Sequence, residues 1–305
     1  MNKIKRPLQF SLIALLVIFL YPQHVFSQTG EPVVLSVTYQ FKHVNDLNKP
    51  KSYLEEEMIL RLGKTESRYG SWTEELRYKA PPKIVNTSKP STGSKGGAYG
   101  FSPTVNVNIN GIKDFDLAQY PNERKMKRVV VIGDNNYMVE GALPEIDWKL
   151  FDDKRQIAGY DCQKAVGNYA GRTYTAWYSA ALPFRNGPWK LWGLPGLILE
   201  ATDATGQVSF LFKELNKPGV NETTALRKKR IIKTTDKAID RAIKAFSENP
   251  TAVYQSQLPA TITTKAQIAF IDSDGTMYMG SDGKKLYNAY KKGLKMKKNN
   301  PLELN

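Results

Sequence analysis

The chain has 305 residues, with 44 basic and 29 acidic side chains and a formal net charge of +15. It contains one cysteine, Cys162, and residues 28–305 contain one histidine, His43. A lone thiol excludes an intrachain disulfide, and these two side chains cannot supply the four ligands of a structural zinc site. A serine or cysteine protease would have to use His43, and no local signature such as Gly-x-Ser-x-Gly supports either. We therefore expect no disulfide framework and no metal or other cofactor.

Residues 1–27 have the parts of a cleavable signal peptide. A short basic start precedes an apolar run over residues 12–21, and the small Ser27 stands immediately before Gln28. The apolar run is shorter than the about 20 residues that a membrane-spanning helix needs. We predict export, a mature chain that begins at Gln28 without a transmembrane segment, and a periplasmic or secreted location.

Alternation of apolar and polar residues predicts mainly β-strands. Strands are expected over residues 33–41, 57–62, 172–178 and 207–215, and hairpins around the turn-forming residues 133–136 and 272–275. Helical spacing of apolar residues predicts one helix over residues 236–248, capped by Thr235, and a shorter one over residues 286–292. The expected fold class is mainly β: a curved antiparallel sheet, open barrel or sandwich-like, with one or two peripheral helices.

Residues 80–104 do not have the composition of a packed core. They are rich in Pro, Ser, Thr and Gly, and such a segment buries too little apolar area to offset its loss of conformational entropy. We interpret them as a long mobile or disordered loop, or an insertion, within a single domain over residues 28–305. A linker between two domains is the alternative.

Residues 148–203 are the most distinctive part of the sequence and contain four of the five tryptophans. Residues 193–198 read GLPGLI, and the runs at residues 157–165, 187–190 and 300–304 accompany this hexapeptide. The pattern resembles the GLPGLI family, Porphyromonas-type exported proteins of Bacteroidetes, over most of residues 28–305. The resemblance implies export and a β-rich fold, but it implies no reaction, cofactor or catalytic residue.

The hexapeptide itself does not match a phosphate-binding loop. A Walker loop needs a lysine and a serine or threonine after its last glycine, and here apolar residues follow. We interpret the hexapeptide as a turn that leads into a buried strand at residues 197–199. By the same reasoning, Cys162 is interpreted as a small buried strand residue.

The preferred hypothesis is a non-enzymatic cell-envelope binding or interaction module. A curved sheet with an aromatic face would hold a hydrophobic, peptide or glycan ligand. The candidate lining residues are Arg172, Trp177, Trp189 and Trp192. Burial of the indoles in the core is the alternative, because tryptophan in strands usually packs there.

A secreted carboxylate-dependent hydrolase is the alternative function. Its candidate carboxylates are Glu55, Glu56, Glu57, Glu145, Asp147, Glu200 and Asp203. A glycosidase needs two carboxyl groups roughly 5–10 Å apart, and the sequence spacing favours no pair.

Basic residues concentrate at residues 227–230 and 284–298. A basic surface attracts polyanions, but no nucleic-acid-binding signature accompanies these runs and we expect no nucleic-acid partner. A third hypothesis is that the region 284–298 docks on an envelope protein or an anionic envelope surface.

Overall fold

The computed structural model describes residues 30–72, 75, 83–85, 104–108, 116–132, 135–226, 231–249, 252–253, 256, 267–271, 276–278 and 299–304. The predicted signal peptide, the short helix at 286–292, the basic region 284–298 and most of the segment 80–104 lie outside these ranges. Those expectations therefore stay predictions.

Strands make up most of the described chain. In chain order they are β1 (Leu35–His43), β2 (Leu54–Leu62), β3 (Ser67–Ser71), β4 (Lys83–Val85), β5 (Thr104–Asn108), β6 (Asp116–Tyr120), β7 (Lys125–Ile132), β8 (Asn135–Ala142), β9 (Lys149–Ile157), β10 (Tyr160–Tyr169), β11 (Arg172–Ser179), β12 (Leu197–Asp203), β13 (Val208–Asn216), β14 (Ile231–Lys233), β15 (Gln267–Ile271) and β16 (Thr276–Tyr278). A 3₁₀ turn, Pro121–Glu123, separates β6 from β7, and one α-helix, α1 (Asp236–Glu248), follows β14.

Twelve of these strands form one sheet, in the order β14-β8-β7-β6-β3-β2-β1-β13-β12-β11-β10-β9. Neighbouring strands are antiparallel, except that β14 runs parallel to β8. The sheet consists of two series of strands, one from β14 to β1 and the other from β13 to β9 in sheet order. The two series meet where β1 pairs with β13, with Gln40 opposite Leu211. The end strands β14 and β9 are not joined to each other, so the sheet does not close into a barrel. An open, mainly antiparallel sheet with a helix confirms the predicted fold class.

A second sheet has four strands in the order β4-β16-β15-β5. Its central pair is antiparallel, with Phe270 opposite Tyr278, which confirms the predicted hairpin around residues 272–275. The outer strands β4 and β5 run parallel to their neighbours. Strand β4 and the first residue of β5, Thr104, lie inside the segment 80–104, so four residues of the expected loop are paired in a sheet.

One face of the large sheet, which we call the inner face, carries the main hydrophobic core. On β1 the alternate residues Val37, Tyr39 and Phe41 point to this face and are at most 1% exposed. The same hydrophobic cluster includes Leu197 of β12 and Cys162 of β10, and the burial of Cys162 confirms its interpretation as a buried strand residue. The period-two pattern therefore places the core where β-strand geometry requires it.

Helix α1 covers part of the same face. Its start is capped as predicted, because the Thr235 hydroxyl accepts a hydrogen bond from the backbone N–H of Ala238. Ile239 is 1% exposed and packs against Val130 and Ile132 of β7. The helix thus encloses one side of the inner face and leaves the centre to other segments.

The opposite, outer face contains a buried network of charged side chains. Arg61 is 1% exposed and forms ion pairs with Glu75, at 2.6 Å from Nη2 to Oε2, and with Glu222. Arg68 pairs with Glu75 and, at 2.8 Å, with Asp116. Buried charges are tolerated only when they are paired in this way, so the network holds several segments against the outer face.

Candidate ligand-binding cavities

A cavity of about 840 Å³ lies on the inner face, between the two series of strands. Its apolar lining comes from the ends of β1 and β2, from the β7–β8 hairpin and from the segment before β12: Phe41, Leu54, Met126, Val139, Leu143 and Trp189. We call it the central cavity. Sheet curvature and strand alternation bring these residues together, because each stands on the inner face of its own strand or loop.

Trp189 forms a rigid wall of the central cavity. Its indole is 2% exposed, stacks on Phe210 with ring centroids 6.1 Å apart, and meets the Tyr169 ring edge-on at 5.3 Å. Its backbone has a φ of 56° and its carbonyl accepts a 3.0 Å hydrogen bond from Gln119. Packing and hydrogen bonding therefore fix the one predicted tryptophan that lines this cavity.

Two ion pairs lie where the central cavity meets solvent. Arg128 of β7 pairs with Asp236 at the start of α1, and Lys190 pairs with Glu303 near the C-terminus. The two carboxylates are 67% and 40% exposed, whereas the two cations are 24% and 13% exposed. The cavity thus has an apolar interior and charged groups at its solvent side.

Residues 299–304, which we call the C-terminal strap, form another wall. Arg172 holds the strap, because it donates to the carbonyls of Pro301 and Leu302 at 2.7 and 3.0 Å and to Asn300 Oδ1 at 2.5 Å. Asn300 in turn donates to the carbonyl of Val44 at 2.5 Å. Arg172 therefore acts on the cavity through the strap rather than by lining it.

The other two predicted tryptophans lie elsewhere. On β11 the side chains of Tyr174, Ala176 and Tyr178 are buried, and Trp177 alternates with them and lies on the opposite face of the sheet. The Arg155 guanidinium is 4.3 Å from the centroid of its ring. Trp192 donates from its indole nitrogen to the carbonyl of Pro144 at 2.6 Å and lines a second cavity. The four predicted site residues are thus not brought together at one cavity.

The second cavity has a volume of about 640 Å³ and a more polar lining. Its residues come from the β6–β7 turn, from the chain between β8 and β9, and from the segment before β12: Pro121, Asn122, Arg124, Pro144, Glu145, Ile146, Asp147, Arg185, Trp192 and Gly193. The glycine that begins GLPGLI is one of them.

The GLPGLI hexapeptide has the structural role that we inferred. Gly193 has a φ of +101°, a conformation that favours glycine, and its N–H donates to the Arg185 carbonyl at 2.8 Å. A Cβ on Gly196 would lie 2.2 Å from the Ser179 carbonyl oxygen, so only glycine fits there. The next three residues, 197–199, are 0% exposed. The turn into a buried strand is confirmed.

The candidate carboxylates of a hydrolase have separate partners. Five of them pair as Glu55 with Lys42, Glu57 with Lys213, Glu145 with Arg124, Glu200 with Arg155 and Asp203 with Arg172. Only Glu145 and Asp147 line the same described cavity, and both are exposed. A carboxyl group that serves as the general acid of a glycosidase usually lies in an apolar pocket, and these two side chains are exposed.

The sequence did not identify most of the residues that line the central cavity. Met126 and Val139 look like ordinary strand residues, and the strap was marked only by its likeness to the family pattern. The charged network around Arg61 was also missed, because a buried arginine cannot be told from an exposed one without its partners.

The described residues contain neither a cluster of metal-binding side chains nor a membrane-spanning helix. No group of three or more His, Cys, Asp or Glu side chains in the described ranges is arranged to hold a metal ion. Among the same residues, no helix combines the length and the apolar character that crossing a membrane requires.

Comparisons with known proteins give a family match for one segment. A family model described as "Protein of unknown function (Porph_ging)" matches residues 168–200, which include Arg172, all three predicted tryptophans and the GLPGLI hexapeptide. No curated protein matches the chain.

Two solved structures of PNGF-II, in space groups C2 and P21, are similar to this chain at 14% sequence identity. Their TM-scores are 0.48 and 0.47, with 69% and 70% of this chain covered. The chain spans about a third of those structures, 32% and 33% of their lengths. Values this low carry no conclusion about function.

Proposed function

We propose that this chain is an exported, non-enzymatic binding protein of the cell envelope, and that its central cavity holds a ligand with an apolar body. The single observation that carries the proposal is the cavity of about 840 Å³ on the inner face, walled by Phe41, Met126 and Trp189. Small-molecule sites usually have volumes of about 300–1,000 Å³ and mainly apolar walls with a few polar groups. The central cavity fits that description.

The two ion pairs favour an amphipathic ligand. An apolar body would lie against Trp189, whose stacking on Phe210 keeps the wall in place. A polar end would then lie at the solvent side, beside Arg128 and Lys190. Because each cation already has a carboxylate partner, we expect the apolar body to supply most of the binding free energy.

The proposed location rests on the sequence. Residues 1–27 have the organisation of a signal peptide, and the chain resembles GLPGLI-family exported proteins of Bacteroidetes. We propose a periplasmic or secreted protein that begins at Gln28. Mass spectrometry of the N-terminus after expression of the full chain in a bacterium should find Gln28 first, and a retained Met1 would contradict export by cleavage.

The proposed partner surface is the basic region 284–298, which would attract an envelope protein or an anionic envelope surface. The corresponding measurement is sedimentation of the purified protein with vesicles of phosphatidylglycerol. Binding that weakens between low and high salt is expected, and binding insensitive to salt would contradict an electrostatic contact.

The cavity proposal is tested with two probes of apolar sites, 1-anilinonaphthalene-8-sulfonate and palmitate. The dye should become fluorescent when it binds the purified protein, and palmitate should displace it. Gly141 lines the cavity, and a Cβ placed on it would meet no atom within 4 Å. Gly141→Phe therefore places an aromatic ring in the cavity from a position where the Cβ has room, and it should weaken binding of both probes about tenfold or more.

The matched control is Gly219→Phe. A Cβ on Gly219 would meet only Glu222 Oε2, at 3.8 Å, and Gly219 does not line the central cavity. This variant should bind both probes as the unmodified chain does. Failure of the unmodified chain to bind either probe, or equal binding by Gly141→Phe, would contradict the proposed function.

A further inference from the structure

We infer that the second cavity binds a neutral saccharide unit. The inference does not depend on the ligand of the central cavity, because the two cavities share only Pro144. It rests on the division of the second cavity into an apolar floor and a rim of opposite charges, which matches the two kinds of surface on a sugar ring.

The floor is apolar and half-buried. Trp192, Pro121, Pro144 and Ile146 all have intermediate exposure and line the cavity. The Trp192 indole is held in place, because its nitrogen donates to the carbonyl of Pro144 at 2.6 Å. A fixed aromatic surface of this kind offers a large contact area at a low entropic cost. The C–H face of a sugar ring would pack against it.

The rim contains both hydrogen-bond donors and acceptors. Arg124 and Arg185 donate, Glu145 and Asp147 accept, and the Asn122 amide does both. All five side chains are exposed. A sugar hydroxyl donates and accepts at once, so this mixed rim fits a ring of hydroxyl groups.

The charges on the rim also argue against ligands that carry a net charge. Two guanidinium groups stand against two carboxylates, so the cavity has no net preference for an anion or a cation. The Arg124–Glu145 pair is 2.8 Å long and its side chains are 68% and 83% exposed, so it opens at little cost. Both groups are then available to a neutral polar ligand.

The backbone of the cavity is preorganised. The Arg124 N–H donates to the Pro121 carbonyl at 3.1 Å, and the Leu143 N–H donates to the Arg124 carbonyl at 2.9 Å. On the other wall, the Arg185 side chain and backbone both bond to Gly193, at 3.0 and 2.8 Å. The three segments that form the cavity are thus fixed before any ligand arrives, which lowers the entropic cost of binding. This site would give the start of the GLPGLI turn a role in binding.

The test is an array of immobilised neutral and sulfated glycans probed with the purified full-chain protein, followed by calorimetry with the strongest neutral oligosaccharide. We expect binding to a neutral glycan that persists at 0.5 M salt. Trp192→Ala and Asp147→Ala should each lower the affinity about tenfold or more, because one removes the floor and the other removes an acceptor of the rim. Asp147→Ala is included because an exposed aspartate is replaced with little effect on folding.

The control is Trp177→Ala, which removes a half-buried indole that does not line the cavity. It should leave glycan affinity unchanged. Absence of binding to every neutral glycan, or binding only to sulfated glycans with loss at high salt, would overturn the inference. So would an affinity of the Trp192→Ala and Asp147→Ala variants equal to that of the unmodified chain. These outcomes are distinct from those of the dye and palmitate measurements, which report on the central cavity.

Discussion

Arg172 and Asp203 form an ion pair in the interior, with 2.8 Å between Nη1 and Oδ2 and with 3% and 2% of the two side chains exposed. The remaining donors of the guanidinium bind the C-terminal strap. Asp203 also accepts from the Val208 N–H at 2.9 Å, which closes the β12–β13 turn. One arginine therefore joins β11, the β12–β13 turn and the strap.

Replacing Arg172 should strongly destabilise the folded protein. Arg172→Ala leaves the Asp203 carboxylate buried without its cation and releases the carbonyls of the strap. We expect the free energy of unfolding to fall by about 3–5 kcal/mol, measured by urea denaturation. The comparison variant is Arg155→Ala, which removes an ion pair with Glu200. The two side chains of this pair are 41% and 22% exposed, so the pair should contribute about 1 kcal/mol or less to the free energy of unfolding. Equal losses for the two variants would contradict the anchoring role of Arg172.

Two buried tyrosines should respond differently to loss of the hydroxyl group. The Tyr39 hydroxyl donates to the Ile198 carbonyl at 2.8 Å, whereas the Tyr174 hydroxyl is buried without a hydrogen-bond partner among the described residues. Tyr39→Phe should destabilise the protein by about 1–2 kcal/mol. Tyr174→Phe should be neutral or stabilising, since it removes a buried group that makes no bond. Thermal unfolding of both variants measures the difference, and a larger loss for Tyr174→Phe would contradict it.

The close approach of Gly196 to Ser179 predicts that a single methyl group disrupts the turn before β12. A Cβ there would lie 2.2 Å and 2.6 Å from the Ser179 carbonyl oxygen and carbon, which are backbone atoms that cannot rotate away. Gly196→Ala should therefore cost about 2 kcal/mol or more in urea denaturation. Gly219→Ala is the control, with its nearest contact at an ordinary 3.8 Å, and should change stability by about 0.5 kcal/mol or less. Stability of Gly196→Ala equal to that of the control would show that the turn can shift.

Cys162 should be chemically inert in the folded protein. Burial raises the pKa of its thiol to about 11, and the thiolate is the reactive form. Alkylation by iodoacetamide at pH 8 should be roughly 100-fold slower in the folded chain than in urea, where the thiol pKa is about 8.5.

The same shift sets the sign of a pH effect. Because the folded pKa is the higher one, the contribution of the protonated thiol to stability is complete below about pH 8.5 and is lost as the pH rises to about 11. Cys162→Ala should lose less stability than the unmodified chain over that interval. Rapid alkylation of the folded protein at pH 8 would show that the thiol is accessible.

Local patterns predicted the elements of this fold well. The helix at residues 236–248 has the predicted bounds, because its apolar spacing and the Thr235 cap are properties of adjacent residues. Strand β1, predicted over residues 33–41, runs over Leu35–His43 because its alternating residues are equally local.

Strand order and the cavities could not be predicted in the same way. Pairing of β1 with β13 depends on segments that are far apart in the chain, and alternation alone does not say which strands become neighbours. The tryptophans were recognised as a group, yet Trp177 and Trp192 point to different surfaces because the segment between them leaves the sheet. Tryptophans that are close in sequence therefore share a site only when the backbone between them keeps their side chains on the same surface.

The pairing of β1 with β13 has a kinetic consequence. The strands from β9 to β13 each pair with the next one along the chain and can assemble early, as can β1 with β2 and β3. The contact between Gln40 and Leu211 must wait until both halves exist, and closing so long a loop slows folding. Until then, two long apolar strand edges stay open to pairing with other chains. We expect formation of the β1–β13 pair to limit the rate of refolding. The yield of refolded protein should fall through aggregation as the protein concentration rises.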